Sequence, residues 1–413
     1  NYAGSIYSQN FPIIDIVMNT MLKQEESDQG RHFFRMFNGM GDDQRAASYL
    51  NGKSFEQAVL DNTLSTEVFY EMMKLKGVYL RNYINSRLSS NEFKEFMAEF
   101  TKRYQFQEVN FTRLNSEFIR KFHFNLMDFI PNWYTINSTP RFIVKGVDAD
   151  QVEVGDYTKY IVKFQVYNPT NVEGVISVNV EEGGGMFPGG PRGRRGRAAQ
   201  MESKPAKNYI IEPRKYKEIR ILCDERPSNL TINTNISQNL PSTIMQNFAK
   251  VTTTTTDTVT GIFDSNATLF TFNPKEITVD NEDPGFRIIE SNQKNKLQSF
   301  FKKESEDKYK NLNFWMPPSR WTATIGVNYY GDYINSAVYK KSGSGSNKTE
   351  WTTQIQIPGF YEVFVYTSEL PMMGWRHRGG EEKKIQYYTV KHDDGEEEIS
   401  VETGRGRQGW RTL

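Results

Sequence analysis

At 413 residues the chain is long enough for about two to four domains, and 51 Lys and Arg against 50 Asp and Glu leave no net field to draw in a polyanion or an anionic membrane. The only cysteine, Cys223, excludes an intrachain disulfide and a zinc site built from cysteines. Aromatic residues at 14 % argue against disorder and for packed, largely β structure with aromatic-lined surfaces.

No run of 18 apolar residues occurs, and the opening NYAGSIYSQNF lacks the charged-then-apolar layout of a secretion signal. The expectation is a soluble chain that is a processed or partial product. From Phe11 to about Trp133 the apolar residues recur at three and four, as in Phe69, Met72, Met73, Leu75 and Leu80, then Phe93, Phe96, Met97 and Phe100, then Phe118, Phe122, Leu126 and Phe129. That period predicts a helical bundle over residues 1–140. Ser90-Asn91 before Glu92 and Asn115-Ser116 before Glu117 predict helix starts, and Pro131 and Pro140 are expected to close the region.

After Pro140 the period changes to two. RFIVKGV, TKYIVKFQVYN, GVISVNVEE, NYIIEP, YKEIRILCD and NLTINTN predict antiparallel strands of a β-sandwich over 141–265. GGGMFPGGPRGRRGR, 183–197, is too rich in Gly and Pro to build a packed element, so a mobile loop carrying Arg192, Arg194, Arg195 and Arg197 is expected. No aromatic residues interleave with these arginines, which favours a solvated loop over a nucleic-acid or lipid arm. VTTTTTDTVTG, 251–261, predicts a strand or linker. A second sandwich is expected over 270–413, from FTFN, EITVDNEDPGF, RWTATIGVNYY, TEWTTQIQI, YEVFVYTS, QYYTVKHDD and EEEISVET, with a charged helical insertion at 291–313 and a flexible loop at 340–348. The predicted fold class is therefore α+β multidomain, an N-terminal α-helical bundle followed by two antiparallel β-sandwich domains.

Catalytic signatures are missing. His32, His123, His377 and His392 never fall at the spacing of H-E-x-x-H, so no helix face offers the ligands of a catalytic zinc. Asp393, Asp394, Glu396, Glu397 and Glu398 surround a tight turn between strands, where alternation keeps side chains from converging on calcium. Neither G-x-S-x-G nor a phosphate-cradling P-loop occurs. No metal, cofactor or nucleic-acid partner is expected.

Two resemblances bear on function. STEVFYEMMKLKGVYLRNYINSRLSSNEFKEFMAEFTKRYQFQEVNFTRLNSEFIRKF, with Trp133 before Pro140, resembles the helical segment that follows the zinc site in the aminopeptidase N family, over about residues 1–145. In that family the tyrosine three residues before the helix glycine stabilises the oxyanion. This position holds Lys74 here, which implies a degenerate site, and Tyr70 lies one turn earlier. The strands at 140–245 are similar to the β region that follows in bacterial membrane-linked relatives. KEITVDNEDPGF, the W-x-T at Trp321, TEWTTQIQIPGFYEVFVYTSE, QYYTVKHDDGEEEISVE and GRGRQGWRTL resemble the golvesin C-terminal-like domain, which is similar to the carbohydrate-binding unit of xanthan lyase, over about 275–413. The family pattern continues past Leu413, so the chain is expected to end inside that domain.

These resemblances imply the non-catalytic rear portion of a peptidase-like bacterial envelope protein, extracytoplasmic, whose terminal sandwich binds a protein or glycan and which meets a membrane only through parts outside this chain. Two alternatives stand beside that reading: the rear of an active zinc aminopeptidase whose H-E-x-x-H lies upstream, and a scaffolding subunit of an envelope complex. Trp321, Tyr329, Tyr330 and Tyr333 are the candidate ligand or partner surface, because the C-terminal region holds more aromatic residues than one core needs.

Overall fold

Serine and asparagine side chains set the helix starts. In the computed structural model, which describes residues 6–23, 41–183, 205–248, 251, 253–271, 273–290, 308–310, 312, 316–368, 384–403 and 408–413, the helices are α1 (Ile14–Lys23), α2 (Asp42–Leu50), α3 (Phe55–Leu60), α4 (Thr66–Asn85), α5 (Ser90–Arg103), α6 (Phe111–Phe122) and α7 (Ile130–Thr135). Ser54 and Gln57 close a capping box on α3, and Ser89 and Glu92 close one on α5, each satisfying two otherwise orphaned backbone N–H groups. The cap of α5, Ser89, thus falls one residue before the expected Ser90. For α6 the correction is larger. Its cap is Asn110, which accepts from Thr112 N–H, whereas Asn115 lies inside the helix and exchanges hydrogen bonds with Asn125 and the Leu126 N–H. Pro131 opens α7 instead of closing a helix, since the first turn has no need of its N–H.

Contacts divide the described chain into two units, one up to Thr271 and one from 273 onward. In the first, the apolar faces of the helices bury Phe55, Met72, Leu80, Phe96, Phe118 and Trp133 in one core. A two-residue pair, Ile6–Tyr7 (β1) beside Val109–Asn110 (β2), ties the N-terminal segment to the start of α6.

The period-two stretches form β3 (Ile143–Val154), β4 (Tyr157–Tyr167), β5 (Gly174–Glu182), β6 (Lys207–Ile211), β7 (Tyr216–Cys223), β8 (Pro227–Asn233) and β9 (Thr243–Asn247). With β10 (Thr254–Thr255) and β11 (Gly261–Asp264) they build a five-stranded sheet of order β10-β3-β4-β7-β11 and a four-stranded sheet of order β6-β5-β8-β9. Alternation sends Val162, Phe164 and Val166 of one sheet and Ile176, Val178, Leu230 and Ile232 of the other into a shared core. Val175 and Ile236 join the helical core, and Asn82 of α4 donates to Asn235 at 2.7 Å, so helices and sheets of this unit are packed together.

The second unit is built from antiparallel pairs: β12 (Phe286–Ile289) with β15 (Lys348–Trp351), β13 (Thr322–Ile325) with β14 (Ser336–Tyr339), β16 (Phe364–Thr367) with β19 (Gly409–Thr412), and β17 (Lys384–His392) with β18 (Gly395–Thr403). The expected hairpin turn at Asp393-Asp394 is present, with His392 opposite Gly395. Phe270, the first residue of the expected strand FTFN, instead ends a short 3₁₀ helix, Thr268–Phe270. The chain therefore combines helices with several sheets, an α+β protein. Of the stretch 183–197 only Gly183 is among the described residues; the four arginines, His32, His377 and most of 291–313 lie outside them. Among the described residues no helix is long and apolar enough to cross a membrane.

Candidate functional site

Cross-strand register in the second unit places Tyr366 of β16 directly opposite Trp410 of β19. Their rings are 5.5 Å apart and nearly perpendicular, and Tyr330, from the loop after β13, lies 5.5 Å from Tyr366 and 5.1 Å from Trp410. Three aromatic rings in mutual edge and tilted contact hold one another in place, each pair adding about 0.5–1.5 kcal/mol beyond burial. Trp410 nevertheless remains 49 % exposed. Polar groups frame it: Gln408 donates through Nε2 to the Tyr366 hydroxyl and to the Asn328 carbonyl, both at 3.2 Å. Burial raises the pKa of the Tyr330 hydroxyl, which also hydrogen-bonds the Thr278 side chain, so it stays a neutral phenol. A second cross-strand pair, Phe286 and Trp351 at 5.3 Å, leaves Trp351 43 % exposed, and Phe360 and Tyr387 are exposed as well.

The four residues singled out from sequence separate. Tyr330 joins the cluster and is half-buried. Tyr329 does not belong to any surface: it is buried, with its ring against Gly326 and its hydroxyl pushed up to about 12 by desolvation. The correction follows from local geometry, since adjacent residues in this loop point in different directions and only one of the two tyrosines can face outward. Trp321 is half-buried, with the Lys340 ammonium 5.8 Å from its ring centroid. Tyr333 is half-buried, and burial of the neighbouring Tyr309 hydroxyl raises that group's pKa, with Tyr333 adding to the shift. The site also contains Tyr366 and Trp410, which the sequence reading did not single out. Of the expected strand YEVFVYTS only Phe364–Thr367 forms a strand, so alternation over the whole stretch does not single out Tyr366. The Q-x-W of the C-terminal stretch was the available signal.

Lys74 sits on α4 with its ammonium 2.5 Å from Glu71 and 4.3 Å from the centre of the Tyr70 ring. It is therefore occupied by neighbours on its own helix. Among the described residues no three His, Cys, Asp or Glu side chains are grouped to hold a metal ion, and His123 caps the end of α6 in the left-handed conformation. Compared with known proteins, the chain matches no family model, no curated protein and no solved structure.

Proposed function

We propose that this chain is the non-catalytic portion of a peptidase-like bacterial envelope protein and that its C-terminal unit is a glycan-binding β-sandwich of golvesin-like type. The helices and the two sheets of the first unit then correspond to the post-zinc helical part and a sandwich at 141–265, with extracytoplasmic location and membrane association supplied by parts outside this chain. The observation that carries the reading is the half-exposed Trp410 braced by Tyr330 and Tyr366 and flanked by the Gln408 amide. A flat indole face held rigid by two other rings stacks on the apolar face of a pyranose at little entropic cost, and adjacent amide and phenol groups hydrogen-bond its hydroxyls. The shared core of the two sheets supports the first sandwich. The Glu71 ion pair of Lys74 supports a degenerate oxyanion position, because a lysine already paired has less charge to offer a developing anion. Affinity electrophoresis of the purified chain through gels cast with soluble neutral polysaccharides tests the reading: retardation by at least one supports it, and unchanged mobility across the panel contradicts it.

A further inference from the structure

Phe106 stands in a turn that does not suit it. The Gln107 N–H donates to the Tyr104 carbonyl at 3.1 Å, closing a turn between α5 and β2 whose third residue, Phe106, has a φ of 65°. Glycine or asparagine takes that conformation readily, whereas a phenylalanine there costs free energy. Packing does not offset the cost. The ring is 80 % exposed, more than any other large apolar side chain among the described residues of the first unit. Gln105 and Gln107 on either side of it are polar and exposed.

Arginines gather at the base of this turn. Glu117 of α6 is buried and pairs with Arg103 of α5 at 2.6 Å and with Arg113 and Arg120 of its own helix at 3.4 and 3.6 Å. The Tyr104 hydroxyl donates to the same carboxylate and accepts from Nε of Arg113 at 3.0 Å, which ties the cluster to the first residue of the turn. Three guanidinium groups thus share one carboxylate, and no other ion pair among the described residues includes them. Each of the three side chains is more than half exposed, so donors remain on the solvent side. Lys102 and Glu108, both exposed near the turn, offset each other and leave the excess positive.

We infer that this turn docks on an anionic lipid surface, the Phe106 ring entering the headgroup region and Arg103, Arg113 and Arg120 meeting lipid phosphates. An aromatic side chain leaves water in such an interface without needing a shaped pocket, and guanidinium forks match phosphate oxygens. A protein partner would ask for a contiguous apolar patch, of which one ring flanked by glutamines is a small part. The local excess of arginine supplies an attraction that the near-neutral whole chain does not. In the reading above, parts outside this chain attach the protein to a membrane. This turn adds a contact of the chain's own, contrary to the expectation from sequence, and it stands independently of the C-terminal aromatic cluster.

Co-sedimentation of the full chain with vesicles tests it, comparing phosphatidylcholine vesicles that contain phosphatidylglycerol with vesicles of phosphatidylcholine alone, at low and high salt. Phe106→Gly removes the ring and relieves the positive φ, so this variant keeps its fold. A double variant, Arg113→Gln with Arg120→Gln, removes the excess charge. Expected are pelleting with the anionic vesicles only, weakening with added salt, and an apparent affinity lower by roughly tenfold or more in Phe106→Gly at an unchanged or raised melting temperature. The double variant is expected to lose the preference for anionic lipid. No pelleting with anionic vesicles, equal pelleting with phosphatidylcholine, unchanged affinity in Phe106→Gly, or a preference retained by a folded double variant would each overturn the assignment. Self-association in sedimentation velocity that Phe106→Gly abolishes, without vesicle binding, would overturn it in favour of a second copy of the chain.

Discussion

Lys76 and Trp133 hold each other reciprocally: the lysine ammonium donates to the Trp133 carbonyl, and the indole N–H donates to the Lys76 carbonyl at 3.1 Å. The ammonium is enclosed by the Trp133 and Phe55 rings, is 4 % exposed, and none of the ion pairs among the described residues includes it. Desolvation therefore pulls its pKa down to about 7. Between pH 7 and about 10.5 the unfolded chain holds this proton and the folded one does not, so the stability contributed by this group rises with pH across that window and is lowest below it. Lys76→Met is expected to raise stability by ~1–4 kcal/mol at pH 6, with the gain shrinking toward pH 10. Urea denaturation of both proteins at three pH values measures this, and a gain independent of pH would contradict it.

Asp280 in the VDNEDPG turn behaves with the opposite sign of proton affinity. Burial, reinforced by Asp283, Glu282 and Asp332, raises its pKa to about 6 against the hydrogen bond it accepts from Asn281 N–H. The folded chain keeps the proton between about pH 4 and 6 while the unfolded chain loses it, so this group's contribution falls as pH rises through that window. Asp280→Asn keeps the acceptor and is expected to stabilise the second unit at pH 7 by on the order of 1 kcal/mol after solvent screening, with no gain at pH 3.5. Thermal melts of the pair at both pH values check the difference.

Gly285 of the same turn lies against backbone. A Cβ there would come within 2.2 Å of the Thr352 carbonyl oxygen, whose residue donates its N–H to the Gly285 carbonyl at 2.8 Å. Gly285→Ala is expected to separate the start of β12 from the end of β15 and to cost ~1–3 kcal/mol. Tyr329→Ala, which empties a buried aromatic site, is expected to cost ~3–5 kcal/mol. Denaturant midpoints for the second unit would register both losses.

What was legible in the sequence was local. Strand β4 carries a period of two, as in VKFQV, and the same alternation divides core from surface in the folded chain, whereas β3 is interrupted by a register shift after Lys145 and β5 buries five successive residues. Phe93, Phe96, Met97 and Phe100 likewise appear together on the buried face of α5. Caps were less legible, because Asn110 and Asn115 offer the same side chain and only the packing of α6 against the Asn125 turn decides which one caps. The Tyr366–Trp410 pair was beyond local reading. Its partners meet through the register of two strands far apart in sequence, which no periodicity specifies.

The lack of grouped metal ligands among the described residues, with Lys74 paired to Glu71, leads under the proposed reading to a chemical expectation. The purified 413-residue chain should retain no stoichiometric zinc after dialysis and release no fluorophore from aminoacyl reporters. Elemental analysis with a parallel peptidase assay decides this, and one tightly held zinc per chain would restore the reading as an active aminopeptidase.

The central claim, a glycan surface organised around Trp410, is tested most directly by Trp410→Ala in the full chain. The measurement is affinity electrophoresis against whichever neutral polysaccharide retards the native protein, with the melting temperature recorded for both forms. Because Trp410 is 49 % exposed but packs on the Tyr330 and Tyr366 rings, its removal is expected to abolish retardation while costing about 1–3 kcal/mol, a modest fall in melting temperature with the unit still folded. Retardation that survives the substitution would contradict the account, as would loss of binding only in step with a collapse of the melting temperature.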